Sequence, residues 1–166
     1  DNDKKKVKLL NAGKPTIYEN NGSEYLEKNL KRKRIQFTSS YVKAINHSNI
    51  VFIAVDTPPK ESGESDLTSL KKVCKSVSKV SQKDLIIIEK STVPVGTHII
   101  IKNIIEKESN YKIKVKIVSN PEFLREGCAI NDFIKPDRIV IGTDDPSLHD
   151  IFKEIYAPFN RKMDKI

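Results

Sequence analysis

The stretch LIIIEKSTVPVGT, residues 85–97, decides the fold. It opens on four apolar residues, Leu85 to Ile88, with nothing polar between them. A strand exposed on one face alternates apolar and polar side chains. An unbroken apolar run is what a parallel strand needs when both faces of its sheet are covered. The run gives way to Glu89-Lys90-Ser91-Thr92, and Pro94 then fixes the turn. Beyond Gly96-Thr97, Ile100, Ile101, Ile104 and Ile105 recur at the spacing of one helix face. Thr97 reads as the helix N-cap. Strand, short loop and helix follow one another, which is the repeating unit of an α/β fold.

The same unit recurs on either side. Residues 50–55 (IVFIAV) form a second continuous apolar run, and residues 113–118 (IKVKIV) and 138–141 (RIVI) are further strand candidates. Residues 35–38 are a weaker one. The third run alternates with Lys114 and Lys116, so one of its faces reaches solvent. Leu67, Leu70, Val73, Cys74, Val77 and Val80 fall on one helix face, with Asp66 as N-cap. A helix over residues 4–11 stops at Ala12-Gly13-Lys14-Pro15, and another over 147–156 is entered through Asp145-Pro146. Strands alternating with helices suggest βαβ units and a mainly parallel sheet. Residues 60–65 (KESGES) read as a mobile loop.

A chain of 166 residues fits one domain. Its net charge of +8 can attract nucleic acid, a membrane surface or an anionic small molecule. The basic clusters, Lys4-Lys5-Lys6 and Lys31-Arg32-Lys33-Arg34, are short and carry no interleaved aromatics. They read as solvated helix faces, so no nucleic-acid partner is expected. No apolar run approaches the ~20 residues that span a bilayer, nothing resembles a secretion signal, and two cysteines make no disulfide framework. A cytoplasmic protein without a membrane partner is expected. The chain begins with Asp1 and its only methionine is Met163, so it reads as a piece of something longer.

In open α/β sheets ligands bind beyond the carboxyl ends of the strands. Three such ends carry hydroxyls or carboxylates and a proline: Asp56-Thr57-Pro58-Pro59, Glu89 to Thr97, and Ser119-Asn120-Pro121-Glu122. Proline presets φ and offers no N–H, so it holds a loop open instead of continuing a strand. Any one of these loops also fits ordinary turn chemistry. Three on one sheet edge point to a site. Within SNPEFLREG, residues 119–127, Glu122 and Glu126 stand four apart, which fits either a capped surface helix or an acid/base edge. His47, His98 and His149 have no ligand spacing, and no metal is expected. Cys74 reads as core, and Cys128 has no evident partner base.

Thr57-Pro58-Pro59, EKSTVPVGT (89–97) and SNPEFLREGCAINDFIKPDRIVIG (119–142) together resemble the nucleotide-sugar dehydrogenases, the UDP-glucose/GDP-mannose dehydrogenase family. The opening DNDKKKVKLLNAGKPTIYE is similar to the segment that follows the second strand of that family's dinucleotide-binding domain. The likeness runs over essentially the whole chain, and Pro136-Asp137-Arg138 favours the UDP-glucose branch. It implies a Rossmann-like, doubly wound, mainly parallel sheet lacking its first βαβ portion, with residues 1–166 as a partial NAD-binding domain. The glycine-rich phosphate loop would precede it; a central helix and a UDP-sugar domain would follow.

The resemblance also implies a reaction. The C6 alcohol of UDP-glucose becomes a carboxylate in two hydride transfers to NAD, through a thioester on a cysteine outside this chain. It gives Asp1 the adenosine ribose hydroxyls, with Lys6 nearby, and runs Val55, Asp56, Thr57, Pro58 and Pro59 along the cofactor. Ser91 and Thr92 form a cofactor-side turn in which Thr92 holds the catalytic water. Glu122 is the acid/base, Glu126 lies by the nicotinamide, and Phe123, Leu124, Arg125 and Glu126 join Glu122 around the UDP-sugar. The whole protein would be a homodimer or larger oligomer. Two departures stand out: Asp56 replaces a small residue or Asn, and Cys128 a Ser or Thr. A GDP-mannose or UDP-N-acetylmannosamine dehydrogenase, or a non-catalytic binding module on the same fold, remain open at this point.

Overall fold

A computed structural model describes residues 1–159; residues 160–166 of the expected domain lie outside the described residues. Three strands form the sheet: β1 (Ile50–Ile53), β2 (Leu85–Glu89) and β3 (Val115–Ser119). They run parallel in the order β1-β2-β3. The helices are α1 (Lys4–Asn11), α2 (Gly22–Lys31), α3 (Tyr41–His47), α4 (Thr68–Val80), α5 (Thr97–Glu108), α6 (Ala129–Ile134) and α7 (His149–Tyr156).

The unbroken apolar run of β2 has the cause the sequence suggested. All five of its residues are buried, because β2 is the central strand and both of its faces are covered. Leu85 and Ile87 face a core with Ile53, Leu70, Cys74 and Val77 of α4, and Ile101 and Ile105 of α5. Ile86 and Ile88 face the other way, into Val118, Ile139, Leu148 and the α7 residues Phe152 and Tyr156. Alternate residues of one strand thus serve two cores, and the sheet is doubly wound.

Several local expectations change. Residues 138–141 form no strand; the chain there makes one antiparallel bridge, Ser119 to Gly142, while Ile139 is buried against the sheet. Residues 35–38 are irregular, and β3 begins at Val115, two residues late. The cap positions fall to Leu67 and Gly96. Asp66 instead accepts from the Thr68 N–H at 2.8 Å, and the Thr97 hydroxyl donates to the Pro94 carbonyl at 2.7 Å. Residues 60–65, expected to be a mobile loop, close on themselves: the Lys60 N–H donates to the Glu64 carbonyl at 2.8 Å and Pro59 bridges Ser65. Three further helices, α2, α3 and α6, lie where no helix was expected.

The register places the site. Ile53 pairs with Glu89, and Glu89 with Ser119. The three strands therefore end level, and the loops leaving them emerge side by side on one edge.

Candidate active site

The three loops are sewn together just past the strand ends. The ladder continues one step, with the Lys90 N–H donating to the Ile53 carbonyl and the Asn120 N–H to the Glu89 carbonyl, both at 2.9 Å. The Val55 N–H donates to Ser91 Oγ at 2.9 Å, and Thr57 Oγ1 donates to the Thr92 carbonyl at 2.7 Å. Val55, Thr57, Ser91 and Thr92 thus form one unit. Pro58 accepts from the Asp66 N–H at 2.8 Å and anchors the far side of that loop.

On one side of this unit lies a groove of about 670 Å³ along the free edge of β1. It brings Asp1 and Lys6 together with Val55 and Asp56, so four of the expected cofactor residues meet there from two separate segments. Thr57, Pro58 and Pro59 are not part of its wall. On the other side, beyond β2 and β3, a cleft of about 420 Å³ is lined by Glu122, Phe123, Leu124 and Arg125 together with Lys90, Asn120, Arg138 and Tyr156. Neither Glu126, which is exposed, nor Thr92 lines that cleft.

The chain from Asn120 to Arg125 is irregular and turns at 126–128, so Glu122 and Glu126 do not share a helix turn. Three contacts keep it so. Arg125 makes a two-pronged pair with Asp132 of α6, Nε at 3.0 Å and the terminal nitrogen at 2.7 Å. Those bonds push the arginine further towards its charged form and hold the Asp132 carboxyl below its ordinary range. The Gly127 N–H donates to Glu19 at 3.0 Å, and Gly127 takes φ +76°, a left-handed conformation costly for other residues. Arg138 lies 4.5 Å from the centre of the Phe123 ring.

The residues that sequence reasoning missed are mostly buried polar ones. Asn120 is 1% exposed, accepts from the Tyr156 hydroxyl at 2.5 Å and from Lys90 Nζ at 3.4 Å, and donates to the Val140 carbonyl at 2.9 Å. Burial pushes the Tyr156 hydroxyl up, against the pull of that Asn120 bond. Lys90 is half-buried; desolvation lowers its ammonium pKa while the charge of Glu122 works to raise it. Glu89, 3% exposed, points into the α4 side, and burial raises it to about 7 against one hydrogen bond from the Ser91 N–H. Lys90 and Asn120 stood inside the quoted motifs. Glu19 closed the quoted opening segment but had no role there, and Tyr156 stood outside the quoted motifs; only folding brings them to the site. Among the described residues no group of three or more His, Cys, Asp or Glu could hold a metal ion, and no helix is long and apolar enough to cross a membrane.

Residues 1–160 match the sequence profile of the UDP-glucose/GDP-mannose dehydrogenase family, NAD binding domain. The chain belongs to this family. It is 39% identical over 160 residues to the UDP-glucose 6-dehydrogenase TuaD of Bacillus subtilis, covering 96% of this chain and 35% of that protein. A solved UDP-glucose dehydrogenase from Pyrobaculum islandicum superposes with a TM-score of 0.88 at 36% identity, over 93% of this chain and 37% of that one. A GDP-mannose dehydrogenase from Pseudomonas aeruginosa, solved as a ternary complex, also reaches 0.88, at 33% identity, over 99% of this chain and 38% of that one. The chain thus spans about a third of the length of these family members.

The family's cofactor, NAD, fits these residues in part. Asp1 brings a carboxylate to the β1 groove, and the Val55–Ser91 bond fixes the backbone of the loop that lines it. The 166 residues contain no Gly-x-Gly-x-x-Gly, so they supply no glycine cradle for a pyrophosphate.

Proposed function

We propose that this chain is part of the NAD-binding domain of a UDP-glucose 6-dehydrogenase, which oxidises UDP-glucose to UDP-glucuronate in two steps. The observation that carries the reading is the level ending of the three strands. It places the Ser91–Thr92 turn, stitched to Val55 and Thr57, next to the cleft that holds Glu122.

In this reading Asp1 and Lys6 hold the adenosine end of the cofactor, and residues 55–59 run along it. NAD, when bound, accepts the hydride from C6. Ser91 and Thr92 shape the cofactor side of the centre, and the Thr92 hydroxyl orients the attacking water without adding charge. Glu122 takes the proton, first from the alcohol and later from that water. A half-dry cleft suits this task, since a carboxylate acts best as a base where water does not compete for it. Residues 122–126 hold the UDP-sugar, with Glu126 on its cofactor side. The rest of the full-length protein supplies the glycine-rich loop, the thioester cysteine and a UDP-sugar domain.

The equal superposition of the GDP-mannose enzyme keeps a second substrate in view. Turnover of UDP-glucose, GDP-mannose and UDP-N-acetylmannosamine by the full-length protein decides between them. UDP-glucose is expected to give the highest kcat/KM, and a preference for either of the others would overturn the substrate assignment.

A further inference from the structure

Lys90 is the first residue past the central strand and lines the same cleft as Glu122. A lysine at a strand end can usually turn its flexible stem outwards and keep its ammonium in water. This one stays half-buried, with Nζ donating to Asn120 Oδ1. Asn120 cannot swing to follow it. Its Oδ1 also takes the Tyr156 hydroxyl and its Nδ2 is tied to the Val140 carbonyl, which fixes which end of the amide faces Lys90.

The other charges around the cleft are mostly matched. Arg125 from the β3 exit is clamped to Asp132 of α6, and Arg138 lies over Phe123. Lys135 and Asp137 line the cleft between α6 and Ile139. Tyr156 of α7 is turned to Asn120. Glu122 is the group whose charge raises the Lys90 ammonium against its burial.

We infer that Lys90 is a positioning residue of this site. Seated on Asn120, its ammonium faces the Glu122 carboxylate and keeps that carboxylate turned into the cleft. The inference rests on Glu122 being the acid/base proposed above. A bound hydroxyl or water between the two would accept from the ammonium and donate to the carboxylate, so the pair also sets the direction in which the proton leaves.

The test uses the full-length protein. Lys90→Met is expected to lower kcat about tenfold or more while KM for UDP-glucose stays within about threefold. Lys90→Arg keeps the charge and is expected to recover most of the rate. It should also move the alkaline limb of the pH profile outwards, because a guanidinium does not lose its proton there. A second readout is independent of turnover. Carbon NMR of the lysine Cε should show Lys90 titrating below an ordinary lysine, and lower still in Glu122→Gln, which removes the opposing negative charge. Equal damage by Met and Arg, kcat unchanged in Lys90→Met, or a Lys90 titration that ignores Glu122→Gln would each overturn the inference. If the wild type oxidises no nucleotide sugar, the functional reading fails, and the Lys90–Glu122 pairing stands or falls on the titration.

Discussion

Replacing Glu89 by Gln should change how stability depends on pH. Glu89 is 3% exposed, one of its carboxylate oxygens is buried without a hydrogen-bond partner, and burial lifts it from an ordinary 4.5 to about 7. Below about pH 4.5 both folded and unfolded chains carry the proton, and the group contributes nothing to the pH slope. Between about pH 4.5 and 7 the unfolded chain has released its proton and the folded chain has not. The folded state then binds more protons, so stability falls as pH rises, and the loss is complete above about pH 7. At about 1.4 kcal/mol per unit, the difference of 7 and 4.5 sets a loss of about 3 kcal/mol. Glutamine has nearly the same shape and no proton to lose. Its amide leaves a buried donor unmatched at every pH, a constant cost of about 1–3 kcal/mol. Glu89→Gln should therefore be the less stable protein near about pH 5 and should gain on the wild type by about 3 kcal/mol by about pH 8. Denaturant unfolding of both proteins across that range measures the difference directly, and titrations common to both cancel. A difference that stays flat with pH would refute the argument.

Other consequences are simpler. Phe152 of α7 is fully buried against the sheet, and Phe152→Ala should cost about 3–5 kcal/mol, read as a lower denaturant midpoint. A thiol reagent applied to the native protein should label exposed Cys128 and spare Cys74, which is buried and pushed up to about 11. Both should react once the chain is unfolded, and rapid native labelling of Cys74 would contradict the packing of α4. In the full-length protein, Glu122→Gln should slow thioester hydrolysis far more than it weakens UDP-glucose binding; unchanged turnover would remove Glu122 from the chemistry.

How far the sequence could be read depended on what each pattern encodes. Continuous hydrophobicity identified β2 because it reports coverage of both faces. The equally apolar β1 is an edge strand with Phe52 45% exposed, and periodicity has no means of separating the two. Residues 138–141 looked like a strand because Ile139 and Ile141 pack against the core, yet burial alone does not make a ladder. The short helix α2 begins after Asn21, a residue at φ 61°, in a stretch that reads as turn chemistry. The site was legible at the strand ends, where each loop carries its chemistry in a few consecutive residues. It was illegible where long-range contacts decide geometry. The spacing of Glu122 and Glu126 fitted a helix face as well as an acid/base edge, but Arg125–Asp132 and Gly127–Glu19 tie the irregular segment down, and only Glu122 lines the cleft.

The central claim is that these strand-end loops serve a four-electron oxidation of UDP-glucose. Its most direct test is the NADH yield of the full-length protein on a limiting amount of UDP-glucose. Two NADH per UDP-glucose, with UDP-glucuronate as the only sugar product, is the expected result. No NADH, or one NADH with an accumulating aldehyde, would contradict it.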